Sequence, residues 1–207
     1  MKKLLFAVSA LAALSLLAPS TGFASDHVYP NQVGMYEFSD GTGATGTFDV
    51  NSIVTVFLVL TKPEKDGVPY ETINAFELTL NFNPAGNMFK LGEVYPGTNV
   101  DVGDSANIGL GYLTYIVGLA ESHPVTDESF TLLEFSFMHT APGIIEVSLA
   151  PTPKPGIDGE MAYQSVSGDL RIMYSAAGPD GGPVYIFDGA AVAVENESFG
   201  SVKSLYR

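Results

Sequence analysis

Residues 73–93 read INAFELTLNFNPAGNMFKLGE. Phe76, Leu78, Leu80 and Phe82 fall on one side of a two-residue repeat, and Glu77, Thr79, Asn81 and Asn83 on the other. Successive side chains leave a pleated strand on opposite faces, so this pattern predicts a half-buried strand over Ile73–Asn83. Pro84-Ala85-Gly86-Asn87 supplies turn residues, and a second apolar run, Met88–Tyr95, starts directly after it. The segment is therefore one wall of a core, and the rest of the chain reads as material that closes over it.

The neighbouring sequence repeats this grammar. Ile53–Leu60 is an unbroken run of β-branched, aromatic and aliphatic residues, as expected of a strand covered on both sides. Ser129–Met138 alternates until its phase slips at Leu132-Leu133, which predicts a β-bulge. Further strands are expected at Val33–Phe38, Gly109–Ala120, Ile144–Ala150, Met161–Val166, Asp169–Ser175, Val184–Phe187 and Ala190–Glu195. Turn signals separate them, Pro151–Gly156 among these reading as a stiff edge connection. With no convincing amphipathic helix and no internal repeat, the fold class is all-β: an antiparallel β-sandwich with jelly-roll topology and about nine strands.

Composition narrows the function classes. The 207-residue chain is 46% hydrophobic and only 15% charged, which suits one globular domain. Its net charge is −14. That balance repels nucleic acid and anionic lipid, and excludes both as main partners. The acidity keeps a secreted protein soluble or binds cations. Cysteine is absent, which removes disulfides, thiol catalysis and Cys-ligated zinc together.

Residues 1–25 have the layout of a secretory signal. Lys2-Lys3 precede the apolar run Leu4–Leu17, and Gly22-Phe23-Ala24 supplies small residues at a cleavage position. The run is too short for a membrane anchor, so no membrane span is expected in the mature form. The expected layout is a signal at 1–25, a sandwich at 26–195 and a polar tail at 196–207. The location is secreted or cell-surface, with the periplasm as an alternative.

Several chemical motifs are tested and set aside. The glycine-rich stretch Asp40–Gly46 lacks the Gly-Lys-Ser/Thr of a phosphate loop, and no helix follows it. Gly103-Asp104-Ser105 echoes the nucleophile block of one hydrolase family, but none of His27, His123 and His139 has an Asp three residues before it. The three histidines do not have metal-ligand spacing. Asn99, Asp101, Asp104 and Asn107 offer hard oxygen ligands in one loop, which makes calcium the one candidate cofactor, without EF-hand spacing; a solvated turn is the competing reading.

INAFELTLNFNP followed by MFKLGEVYPG, then TLLEFSFM at 131–138, Ile144–Leu149 and a closing strand near Gly189–Glu195, resembles the cohesin-like modules, the β-sandwiches of cellulosome scaffolds and related bacterial surface proteins. The resemblance spans roughly residues 33–195. It implies a nine-stranded jelly-roll sandwich with a binding role and no catalysis. Cohesins bind dockerins, which are calcium-loaded helical modules, and related sandwiches bind polysaccharide. This chain carries one module and has no dockerin-type Asp-x-Asn-x-Asp-Gly loop.

The expected function is a secreted, non-catalytic binding or adhesion module that recognises an extracellular protein or a polysaccharide. Candidate contact residues are Glu77, Thr79 and Asn81 on the outward side of the central strand. Tyr112 and Tyr115, with Tyr163 and Tyr174, are candidates for a sugar-stacking surface. Two other readings stay open. One is a structural or self-assembling subunit using a sheet edge, or the tail residues Phe199, Lys203 and Tyr206. The other is a glycan-active enzyme, for which acidic residues are plentiful but form no evident pair.

Overall fold

A computed structural model describes residues 30–69, 72–106, 108–178 and 181–190. The expected signal at 1–25, the tail at 196–207, Asn107 and nearly all of the expected strand Ala190–Glu195 lie outside the described residues. Among the described residues, no helix is long and apolar enough to cross a membrane.

The strands, in chain order, are β1 (Gln32–Tyr36), β2 (Thr45–Asp49), β3 (Ile53–Thr61), β4 (Glu64–Lys65), β5 (Val68–Pro69), β6 (Thr72–Asn83) and β7 (Met88–Val94). After them come β8 (Asn99–Asp101), β9 (Tyr112–Pro124), β10 (Ser129–His139), β11 (Gly143–Ala150), β12 (Met161–Gln164), β13 (Leu170–Ser175) and β14 (Tyr185–Ala190). A single 3-10 turn, Ile108–Leu110, precedes β9.

Hydrogen bonding links them in the order β2-β14-β11-β6-β12-β13-β1-β3-β10-β7, with β9 on the other edge of β6 and β8 beyond it. This path folds over on itself. Phe82 of β6 meets Phe137 of β10 with ring centroids 5.7 Å apart, and Tyr115 of β9 meets Phe135 of β10 at 5.7 Å. One layer is therefore β2-β14-β11-β6-β9-β8 and the facing layer β1-β3-β10-β7, joined at a corner by β12 and β13. The all-β sandwich expected from the sequence is observed.

The expectation of about nine antiparallel strands needs correction. Among the described residues there are fourteen strands, and β1 pairs with β13, and β2 with β14, in parallel. Alternation specifies which face a residue takes. It does not specify which strand lies beside it or in which direction. The four added strands, β2, β4, β5 and β8, have local causes. Asn51, at φ 68°, turns the chain between β2 and β3. Asp66-Gly67 makes a hairpin of the charged stretch between β3 and β6. Asn99–Asp101 pairs with β9 as β8.

The core follows the alternation. Phe76, Leu78, Leu80 and Phe82 are all buried in one cluster with Phe135 and Phe137. The register of β10 on β3 shifts between Thr131 and Leu133, the bulge expected there, and it lets both Leu132 and Leu133 be fully buried. β3 is covered on both faces only in its second half, where Val59 joins Tyr36 and Ala44 in a second small cluster.

His139 ends β10 inside this core and is 1% exposed. Its Nδ1 has no hydrogen-bond partner, and a Cβ on Gly189 would stand 2.5 Å from that atom. Burial lowers its pKa, a shift that the nearby Asp188 carboxylate opposes. The ring is thus held neutral in the fold and takes up a proton more readily when unfolded. The stability this confers is complete above the ordinary histidine value of about 6.5 and is lost as pH falls through it. Urea unfolding between pH 7.5 and 5.5 should show this loss, and His139→Met should flatten that part of the profile. An unchanged slope in the variant would remove His139 as its cause.

Candidate binding face

Cross-strand register builds the outer face of the β11-β6-β9-β8 layer row by row. Residues directly opposite in an antiparallel pair share a face. Ile116, Glu77 and Ala162 form one row, Thr114, Thr79 and Ala150 the next, and Tyr112, Asn81 and Ser148 the third. Val100 of β8 stands beside Gly118 of β9 on the same side. The middle of the face is therefore made of short side chains, with larger apolar ones at its borders. Val100 is 67% exposed and Ile144, at the start of β11, is 56% exposed.

The structure separates the three central candidates. Thr79 is 7% exposed, and its Oγ1 lies 3.2 Å from Thr114 Oγ1, so the two hydroxyls satisfy each other. Glu77 accepts a hydrogen bond from the Gly156 amide through Oε1, which pins the 151–160 connection against the sheet. Ala162, opposite Glu77, is consequently fully buried although it points outward. Asn81 is half-buried and open to contact. Thr79 and Glu77 thus have structural roles that alternation alone does not disclose.

Of the four tyrosines, Tyr115 and Tyr163 are fully buried, and Tyr112 is half-buried beside Asn81. Tyr115 and Tyr163 are therefore corrected: each falls on the inward phase of its strand, and neither ring is offered to a ligand. Tyr174 alone of the four is exposed, at 54%.

Tyr115 instead ends in a polar cluster that bridges the two layers along their β7 and β8 edges. Its Oη donates to Glu93 Oε2 at 2.9 Å. Lys90 Nζ donates to the same carboxylate at 2.6 Å and to the Ser105 carbonyl, and stands 5.7 Å from the Tyr115 ring centroid. Tyr95 Oη lies 3.1 Å from Glu93 Oε1 and 3.2 Å from Asp101 Oδ2. Burial foremost, then the neighbouring carboxylates, raises the pKa of both phenols, so both remain protonated donors.

This cluster accounts for much of the Asn99–Asn107 loop. Asp101 Oδ1 accepts from the Gly103 and Ile116 amides at 2.9 and 3.1 Å. Asn99 Nδ2 donates to the Gly97 carbonyl at 3.3 Å, and Asp104 is exposed. Its backbone carbonyl accepts from the Thr114 amide at 2.9 Å. These bonds stitch β8 and its following loop onto β9. Among the described residues, no group of three or more histidines or carboxylates is gathered where it could hold a metal ion.

No protein-family model matches the chain, and no curated protein does. Solved structures do. A chain of a type I cohesin–dockerin complex from Clostridium thermocellum aligns with a TM-score of 0.50 at 6% identity, covering 79% of this chain and 100% of that one. A type I cohesin from Pseudobacteroides cellulosolvens aligns at 0.46 and 12% identity, covering 81% and 96%. A non-cellulosomal cohesin from the archaeon Archaeoglobus fulgidus aligns at 0.46 and 7% identity, covering 81% and 95%. On the first of these alignments, the chain has a cohesin-like β-sandwich fold.

Proposed function

We propose that this chain is a secreted, non-catalytic module that binds another protein through the outer face of β11, β6, β9 and β8. The observation that supports this is the make-up of that face. Short, half-buried side chains near its centre (Ser148 and Ala150) let a partner's backbone approach closely, and exposed Val100 and Ile144 border it with apolar area. The exposed apolar residues supply area that a protein partner can cover, and the hydroxyl and amide groups supply hydrogen-bond partners, both of which protein interfaces use. The Clostridium thermocellum structure with the same fold is a complex with a dockerin, which is consistent with this reading. Export rests on the signal-like residues 1–25.

The self-assembly reading has less support. β7 is an edge strand, but the register shift at its middle and the partly buried Lys90 and Glu93 are features that discourage another strand from pairing there.

The test is site-specific crosslinking. A photoreactive side chain replaces Ser148 on the proposed face or Ser136 on the outer face of the opposite layer. Each protein is incubated with the proteins secreted by its host. Crosslinks to a protein at 148 and none at 136 are expected, and Ser148→Arg should weaken capture about tenfold or more. Equal crosslinking at both positions, or none at 148, would sink this assignment.

A further inference from the structure

We propose that residues 199–207 of this chain fold back onto the outer face of β3, β10 and β7, on the far side of the sandwich from the binding face and independent of it. Register lays out that face in three rows. The middle row is short, with Thr55, Ser136 and Gly92 side by side, and a Cβ on Gly92 would meet nothing within 4 Å. Exposed Ile53 and Phe89 stand in the row on one side of it, and exposed Val94 with half-buried Glu134 in the row on the other. The rows form a shallow trough across the strands, apolar at its borders, with Glu134 as its one charged side chain. Further along β3 the same face is closed, because Val59 packs there with Tyr36 and Ala44. The trough is the part left open.

Its size fits a peptide rather than a globular partner. Three strands about 4.8 Å apart and four residue steps of about 3.4 Å give a patch of roughly 15 Å by 15 Å. Each partner in a stable complex of folded proteins contributes about 800 Å², several times more. A second copy would also add a second Glu134 and no cation to pair with either, in a chain of net charge −14.

The chain itself runs to the edge of this trough. β14 ends at Ala190, whose carbonyl accepts the Val50 amide at 3.1 Å. The next amide, Asn51, donates to the His139 carbonyl at 2.8 Å. Ala190 therefore stands by the start of β3 and the end of β10, where Ile53 and Met138 lie opposite each other. Residues 191–198 reach up to about 26 Å when extended, more than the length of the face. Residues 199–207, FGSVKSLYR, bring Phe199, Val202, Leu205 and Tyr206 for the apolar borders, and Lys203 and Arg207 for Glu134, with no acidic side chain among them. A segment tethered this closely is present at an effective concentration in the mM range, so weak contacts suffice to seat it.

A photoreactive side chain at position 136 of the purified exported protein, with no other protein present, provides the test. Irradiation at low concentration should give an intramolecular crosslink from 136 to a residue within 199–207, identified by peptide mass spectrometry. The same group at 148 should give none to that segment. Lys203→Glu with Arg207→Glu should lower the yield at 136 about threefold or more, and adding Glu134→Lys should restore it. Ending the chain at Ser198 should raise the binding of an apolar-surface dye severalfold, with an unchanged circular dichroism spectrum to separate uncovering from unfolding. Crosslinked dimers in place of the intramolecular product would assign the face to a second copy and overturn the proposal. So would no product at 136, equal capture of the segment at 136 and 148, a yield that the charge reversal leaves unchanged, or a dye signal that the truncation leaves unchanged.

Discussion

Phe137→Ala should cost about 3–5 kcal/mol of unfolding free energy, the range for removing a fully buried ring. Phe137 is 0% exposed and belongs to a chain of aromatic contacts. Its ring centroid lies 5.2 Å from Phe135, 5.7 Å from Phe82 and 5.7 Å from Phe187. These partners come from β10, β6 and β14, so the substitution opens a cavity exactly between the two layers rather than at one strand's border. Each lost edge or stacked contact adds to the loss of apolar burial by about 0.5–1.5 kcal/mol. A domain of this size holds about 5–15 kcal/mol in total, so a large part of it would disappear. Urea unfolding measures it. A change under about 0.5 kcal/mol, as at an ordinary surface position, would mean that the two layers do not meet at Phe137.

The same ring contacts show which parts of the fold were legible. Phe76 to Phe82 and Phe135 to Phe137 are visible in the sequence because burying one face imposes a period of two, and that period survives in the residue types. The bulge at Leu132-Leu133 is visible for the same reason, as a break in phase. The hairpin β4–β5 had a signal too, the Asp66-Gly67 pair, but two-residue strands carry too few positions for alternation to show. The parallel pairing of β1 with β13 leaves no mark in either strand, because it depends on where two distant segments meet.

The candidate site was less legible for a related reason. Outward phase does not mean exposure. Thr79 and Glu77 lie on the outward phase of β6, yet Thr114 from β9 and Gly156 from the 151–160 connection take up their polar atoms. Those partners lie 35 and 79 residues away in the chain. Tyr115 failed in the opposite sense. Its ring was a candidate for a sugar-stacking surface, while the inward phase of β9, shared with Leu113 and Val117, places that ring in the core. Tyr174 is the one tyrosine of the four that β13 turns outward, and its amide is bonded to the Asn31 carbonyl.

Glu93→Ala should cost about 2–3 kcal/mol, more than an exposed ion pair is worth. Glu93 and Lys90 are 20% and 12% exposed at the side chain, so neither is freely hydrated. The carboxylate is the shared acceptor of Lys90 Nζ, Tyr115 Oη and the neighbouring Tyr95 hydroxyl. Truncation leaves the ammonium without its counter-charge and a buried phenol without an acceptor. The penalty for stranded groups exceeds the net worth of the bonds. The double variant Lys90→Met with Glu93→Ala follows from this. It removes the stranded charge without refilling the space left by Glu93, so it should be more stable than Glu93→Ala alone. A thermodynamic cycle by urea unfolding measures both. If the double variant is no better than the single one, the cost of Glu93→Ala is lost packing rather than a stranded lysine, and the cluster does not join β7 to β9 electrostatically.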